Sequence, residues 1–244
     1  MAEKEDEQRC FAFSSQWRSD MPASLSTASI LEVFSKEIIA QGGSVASTFD
    51  DGTRLFTRAL LPHMEEVLPR DRVKGGVALK SSEYGVSLHP YTFRLVCRNG
   101  AIVAEALETQ HLENLEIHTP DIALEMIQET VQTCCNREVF ANLVKRMRAA
   151  AKVPSSASTL MSMVLSHPVV HLIPQIMAEF FRERDQTMYG LAQAITAVAR
   201  ETPDPELRWE LEELGGAVAT GNLPRKPTWE SATYHPEEVL AATA

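Results

Sequence analysis

The stretch SVASTFDDGTRLFTRAL, running from Ser44 to Leu60, decides the fold. Two alternating runs, Ser44 to Phe49 and Arg54 to Leu60, flank Asp50-Asp51-Gly52-Thr53. An Asp-Gly pair between such runs is the strongest short-range signal for a β-hairpin. Upstream, Ser26 and Thr27 offer N-caps for an amphipathic helix with Ile30, Val33, Phe34, Glu37 and Ile38 at helical spacing, and Gly42-Gly43 stops it. Downstream, Pro62 to Leu68 reads as a short helix, and Val77 to Lys80, after Gly75-Gly76, as a third strand. Glu83 to His89 reads as a glycine-containing loop or bulged strand. Pro90 suits a helix start, so Tyr91, Phe93, Arg94, Val96 and Cys97 predict a short helix ended by Asn99-Gly100, two residues that accept positive φ. Ala101 to Ala106 returns to an extended run.

From Thr119 the pattern becomes helical. Thr119 as N-cap and Pro120 at the first helical position open one long helix in which Leu124, Ile127, Val131, Cys135, Val139, Leu143 and Met147 step by three or four. Lys152 to Ser156 breaks it, and three more helices follow: Pro168 to Arg184, Gln186 to Arg200, and Pro205 to roughly Thr220. The expected fold is α+β, a small, mainly antiparallel sheet with helices in the N-terminal half and a helical C-terminal half packed on it. The expected organisation is a polar segment 1–25, one domain 26–221 made of a mixed half 26–118 and a helical half 119–221, and a tail 222–244.

Composition narrows the function classes. With 244 residues, 44% of them hydrophobic, the chain can bury a sizeable core. Its longest apolar runs, such as Ala101 to Ala104, fall far short of the roughly 20 residues a bilayer requires. The acidic start Met1-Ala-Glu-Lys-Glu-Asp-Glu is unlike a secretory signal, so a cytoplasmic location and no membrane contact are expected. Cys10, Cys97, Cys134 and Cys135 include no Cys-x-x-Cys spacing and read as reduced thiols, the adjacent pair as small buried hydrophobes.

The net charge of -10 disfavours indiscriminate nucleic-acid binding. The distribution is uneven, however. Between Gly52 and Gly100 eight basic residues (Arg54, Arg58, Arg70, Arg72, Lys74, Lys80, Arg94, Arg98) face four acidic ones, whereas Ala101 to Asn136 holds seven acids and no Lys or Arg. From Glu201 onward nine acids face three bases. A two-sided field follows.

Two polar groupings stand out. Ser82, Glu83, Cys97, Asn99, Gly100 and His118 form, with Arg94, a candidate structural cluster. A buried Arg94 needs a carboxylate, and Glu83 is the nearest in sequence. The functional alternative is that Arg94 and Arg98 face a phosphate or an acidic partner. Cys97 falls on the apolar side of its predicted helix, which argues against a thiolate nucleophile. In the late helix, Tyr189, Gln193, Thr196 and Arg200 share one stripe. They either satisfy buried polar groups or present an aromatic and amide surface to an unpaired base. His167 and His171 have a zinc-like spacing, but Pro168 and the lack of a following Glu argue against a metal. No phosphate loop, serine triad, paired carboxylate or zinc ribbon appears, so no catalytic residue, metal or cofactor is assigned.

Three stretches carry a family resemblance: Ser82-Glu83-Tyr84-Gly85 with Tyr91 to Gly100, then Ile117-His118-Thr119, then Thr187 to Thr196. Together they resemble the signature segments of phage/plasmid-like proteins carrying the domain of unknown function nine-three-two, over roughly Ala28 to Gly216. The family usually has Trp where this chain has Tyr189, and Asn where it has Gln193. The resemblance implies a prophage or mobile-element setting and no established activity.

The resulting expectation is a non-catalytic phage/plasmid-type protein that binds single-stranded nucleic acid in DNA replication or recombination, through Arg94, Arg98, Tyr189 and Gln193. The alternative is a protein-interaction module that engages a host or phage protein through its acidic surfaces. A third reading is a small hydrolase or transferase around Glu83, His118 and Arg94. An oligomer would fit the first role.

Overall fold

In the computed structural model, which describes residues 25–83, 85–96, 98–103, 110–112, 120–156, 168–182 and 185–221, the Asp-Gly turn joins β1 (Ser44–Asp50) to β2 (Leu55–Leu68) as an antiparallel hairpin. Asp51 builds the turn, its carboxylate accepting from the Thr53 hydroxyl at 2.7 Å, the Thr53 amide at 3.0 Å and the Arg54 amide at 2.7 Å. These bonds, the Thr53 hydroxyl foremost, hold the Asp51 carboxyl well below the usual carboxylate range. Gly52 takes φ 86°, a conformation few other residues adopt.

The chain continues through β3 (Asp71–Ser82), β4 (Gly85–Arg94), β5 (Asn99–Ile102) and β6 (Gln110–Leu112). The sheet is antiparallel, in the order β1-β2-β3-β4-β5, and β6 also lies beside β4. The protein is therefore α+β, with a sheet whose central strands are longer than the sequence suggests.

Two predicted helices are strand instead. Pro62 to Leu68 continues β2 past an irregularity between Leu60, opposite Gly76, and Met64, opposite Lys74. Pro62 sits in that irregularity, where no ladder hydrogen bond is required of it. Tyr91 to Arg94 continues β4. There the outer edge of β4 passes from β6, paired at Val86 to Leu88, to β5, paired at Tyr91 to Arg94. Pro90 falls in the gap between the two, so its missing N–H interrupts no strand pairing, while its carbonyl accepts from the Val103 amide at 3.0 Å.

The chain divides into two compact units, Met1–Val144 and Lys145–Ala244. In the first, one face of the sheet is covered by α1 (Thr27–Ala40), from before the sheet, and α2 (Pro120–Cys134), from after it. Ile30, Phe34 and Ile38 meet Leu55, Ala59, Val77, Leu79, Val86 and Leu88, with Ile127 and Val131 completing the core. The Ser26 hydroxyl caps α1 by accepting from the Ser29 amide at 3.0 Å, as its position predicts.

The single long helix expected from Pro120 to Met147 is two. Between α2 and α3 (Arg137–Ala150), the Asn136 side chain accepts from the Glu138 amide at 2.8 Å and so restarts the helix with its own cap.

In the second unit a 3₁₀ turn (Pro168–Leu172) leads into α4 (Ile173–Arg182), followed by α5 (Met188–Glu201) and α6 (Pro205–Thr220). Thr187 and Asp204 cap the last two, and Gly221 closes α6 in the left-handed conformation, φ 73°. α5 and α6 pack closely at Gly215, where a Cβ would run into the Thr196 methyl. Among the described residues no helix is long and apolar enough to cross a membrane.

Candidate nucleic-acid interface

The cluster expected around Arg94 is not assembled. Ser82 pairs with Gly85 at the β3–β4 turn, with Glu83 exposed beside it, whereas Arg94, Asn99 and Gly100 lie at the other end of β4. At the rise of an extended strand these sites stand roughly 30 Å apart. The carboxylate that Arg94 requires is Asp71. Its Oδ1 accepts from the Arg94 Nε at 2.7 Å, with both side chains largely buried, at 15% and 8% exposure. The pairing with Glu83 is thus corrected. Sequence distance misled because Asp71 is 23 residues away, brought near only by the register that sets Val73 opposite Arg94.

Asn99 and Gly100 are also not a helix terminator. Both belong to β5, and the positive φ falls one residue earlier, at Arg98, φ 56°. Gly100 has a packing role instead, since a Cβ there would run into the hydroxyl of Tyr91. The ring of Tyr91 crosses diagonally from β4 onto the bare backbone of β5, a common way for sheets to accommodate a glycine. Cys97 and His118 lie outside the described residues, as does His167; His171 lies in the 3₁₀ turn. Among the described residues no three His, Cys, Asp or Glu side chains are grouped to hold a metal.

Tyr189 and Gln193 are buried along with Thr196, at 1%, 8% and 2% exposure. Thr196 satisfies its hydroxyl on the carbonyls of Ala192 and Gln193. The ring of Tyr189 therefore has no open face on which a base could stack; Tyr189, Gln193 and Thr196 belong to helix packing, while Arg200, at the end of the stripe, is exposed and pairs with Glu201 at 2.8 Å.

What the structure does gather is a different set. Of the eight basic residues between Gly52 and Gly100, Arg54 pairs with Asp51 at 2.8 Å, Arg58 is buried, Lys80 stands over the Phe56 ring at 5.7 Å, and Arg94 pairs with Asp71. The other four, Arg70, Arg72, Lys74 and Arg98, come together at one end of the sheet. Arg70 occupies the β2–β3 turn with φ 68°, and Arg98 the neighbouring β4–β5 turn; both are exposed.

The strand register places an aromatic ring among them. Met64, Lys74, Phe93 and Gly100 lie directly opposite one another across β2, β3, β4 and β5, hence on one face. It is the face opposite to Arg94 and Asp71. Arg72 lies on the next row, opposite Glu66, and its carbonyl accepts from the Leu95 amide at 2.9 Å. Phe93 is half-buried and its neighbour Gly100 contributes no side chain, while Met64, Leu95 and Val96 are exposed. The Arg72–Glu66 contact is long, 3.7 Å between exposed groups, and so weakly competes for the guanidinium. An aromatic surface bordered by cations on a sheet is suited to an unstacked base with phosphates on either side.

On the helix that Tyr91 to Cys97 predicts, Phe93 faces inward, and only the strand places it beside Lys74. The alternation Tyr91, Phe93, Leu95 was the available signal. The chain matches no protein-family model, no curated protein and no solved structure.

Proposed function

We propose that this is a non-catalytic, cytoplasmic protein of phage or plasmid type, of the family its motifs resemble, that binds single-stranded nucleic acid at the open end of its sheet. The observation that carries the reading is the placement of the half-buried Phe93 near the end of its strand, with Lys74 and Arg72 beside it and Arg70 and Arg98 on the adjoining turns. The cations would take phosphates and Phe93 a base, the two components of sequence-tolerant single-strand binding. Arg98 keeps the role first expected of it. Arg94 acts as the buried partner of Asp71, and Tyr189 and Gln193 as packing residues.

A total charge of -10 is compatible with this role when the contact is confined to one basic end, because acidic surfaces elsewhere repel additional strands and long duplex. The test is fluorescence anisotropy of a labelled single-stranded oligonucleotide, with a duplex of the same sequence as control. Preference for the single strand, lost in Phe93→Ala, is the expected result. Equal binding of both forms, or a Phe93→Ala variant indistinguishable from the parent, would remove the stacking role.

A further inference from the structure

The sheet ends at β1, and β1 is unusually open. It pairs with β2 along one side, and among the described residues nothing pairs with its outer edge. Six of its seven residues are exposed, Val45 and Phe49 among them at 36% and 39%. Such an edge presents unpaired N–H and C=O groups in the geometry a further strand requires, and folded proteins ordinarily guard it with a lysine, a proline or a bulge.

Here the guard is partial. A bulge lies between Val45 and Ser47, where Ala46 has no opposite residue in β2. From Ser47 to Asp50 the register is regular, with Ser47 opposite Arg58 and Asp50 opposite Leu55. No proline interrupts the strand, and the twelve residues from Ile38 to Phe49 contain no charge at all. In a chain of net charge -10 this neutral strip, carried on an open strand edge, is a place where a second copy can approach with little repulsion.

We infer that β1 is a self-association edge, on which a second copy of this chain adds its own β1 antiparallel about a two-fold axis at Thr48. Antiparallel pairing about a two-fold is the closed, isologous solution, so it ends at a dimer rather than a fibre. In this register Thr48 faces the partner's Thr48, and Ser47 faces the partner's Phe49. The strand's one charge, Asp50, falls opposite the partner's Ala46. The two Asp50 carboxylates are then about 13 Å apart along the strands, more than a Debye length at physiological salt. Because each β1 already pairs with β2, the product is one continuous sheet across both copies, with the helix-covered faces on the same side. A contact of this length is smaller than a standard interface, so the dimer is a weak one, populated at high protein concentration.

The experiment is light scattering on the intact chain at concentrations from about 1 to about 500 µM, a range that spans weak association. The mass is expected to rise from the 27.1 kDa of one chain toward twice that value. Thr48→Lys, which sets two lysines opposite each other and gives up the 3.1 Å hydrogen bond between the Thr48 and Thr57 hydroxyls, is expected to stay at one chain's mass while keeping a cooperative, somewhat lowered melting transition, since Thr57 retains the Ser47 carbonyl as acceptor. Thr48→Cys tests the register separately: mild oxidation is expected to link two chains, because opposed residues in an antiparallel pair have Cα atoms within disulfide range. The parent chain under the same oxidation controls for its native cysteines. A parent that remains at one chain's mass throughout, or a dimer that forms equally in Thr48→Lys, would overturn the inference. Cross-linking of Thr48→Cys no greater than that of the parent would overturn the register.

Discussion

Arg94 and Asp71 form a largely buried ion pair, Nε to Oδ1 at 2.7 Å, that ties the end of β4 to the start of β3. Both residues lie on the face covered by the core, directly behind the face that carries Phe93 and Lys74. The pair thus braces the turns that hold Arg70 and Arg98 without entering the surface that a ligand would touch.

Arg94→Ala leaves the Asp71 carboxylate largely buried without its cation. The expected cost is about 3 kcal/mol, the lower part of the range for breaking a buried pair from one side. Glu83→Ala removes an exposed turn residue and is expected to change stability by less than about 0.5 kcal/mol. Denaturant unfolding of both variants makes the comparison, and a Glu83 variant as damaging as the Arg94 variant would contradict the pairing.

Gly100→Ala puts a Cβ where the Tyr91 hydroxyl sits, so the ring must move or β5 must shift. A loss of about 1 to 3 kcal/mol is expected, as for overpacking generally. The double-mutant cycle with Tyr91→Ala identifies the cause, since most of the Gly100→Ala cost should vanish once the ring is absent. Additive effects in the cycle would rule out the ring as the reason.

Burial, with the Glu37 carboxylate as a second contribution, pushes the Cys135 thiol up to about 12. In the unfolded chain a thiol ionises near pH 8.5. Above that value the unfolded state loses its proton while the folded state keeps it, so the contribution of Cys135 is full below about pH 8.5 and declines as pH rises toward 12. The stability advantage of the parent over Cys135→Ala should therefore narrow from pH 8 to pH 10. Melting curves at those values check it, and a constant difference would contradict the shift.

The Asp204 carboxylate caps α6 by accepting from the Leu207 amide at 2.8 Å. Asp204→Ala is expected to lose about 1 kcal/mol, and Asp204→Ser to retain most of it. Chemical unfolding of the two variants is the measurement.

Much of the fold was legible where local chemistry dictates it. The Asp51-Gly52 turn, the Ser26 cap and the helix starts at Pro120 and Pro205 each act through neighbours within a few residues, so short windows of sequence reveal them. Pro62 and Pro90 misled for one shared reason. Each stands in a strand at a point where the ladder is already interrupted, by an irregularity in β2 and by the gap between β5 and β6, and only the tertiary pairing shows that interruption. Cys135 continued the helical spacing across a break made by the single side chain of Asn136.

The candidate site was legible in charge but not in geometry. The excess of cations between Gly52 and Gly100 is read directly from the sequence and includes the four that share one end of the sheet. Which cations remain at the surface depends on pairings across strands, those of Asp71 with Arg94 and of Phe56 with Lys80, and no sequence spacing encodes them. Tyr189 and Gln193 drew attention as polar residues on one stripe, yet α5 is buried on nearly every side.

The most direct measurement is the salt dependence of single-strand affinity, followed by anisotropy for the parent, Arg98→Ala and Arg70→Ala. If phosphates bind at the open end of the sheet, affinity falls steeply with salt, and each substitution lowers the slope of log K against log salt by about 0.7. Absence of binding at low salt, or slopes identical in all three proteins, would contradict a nucleic-acid role for this surface.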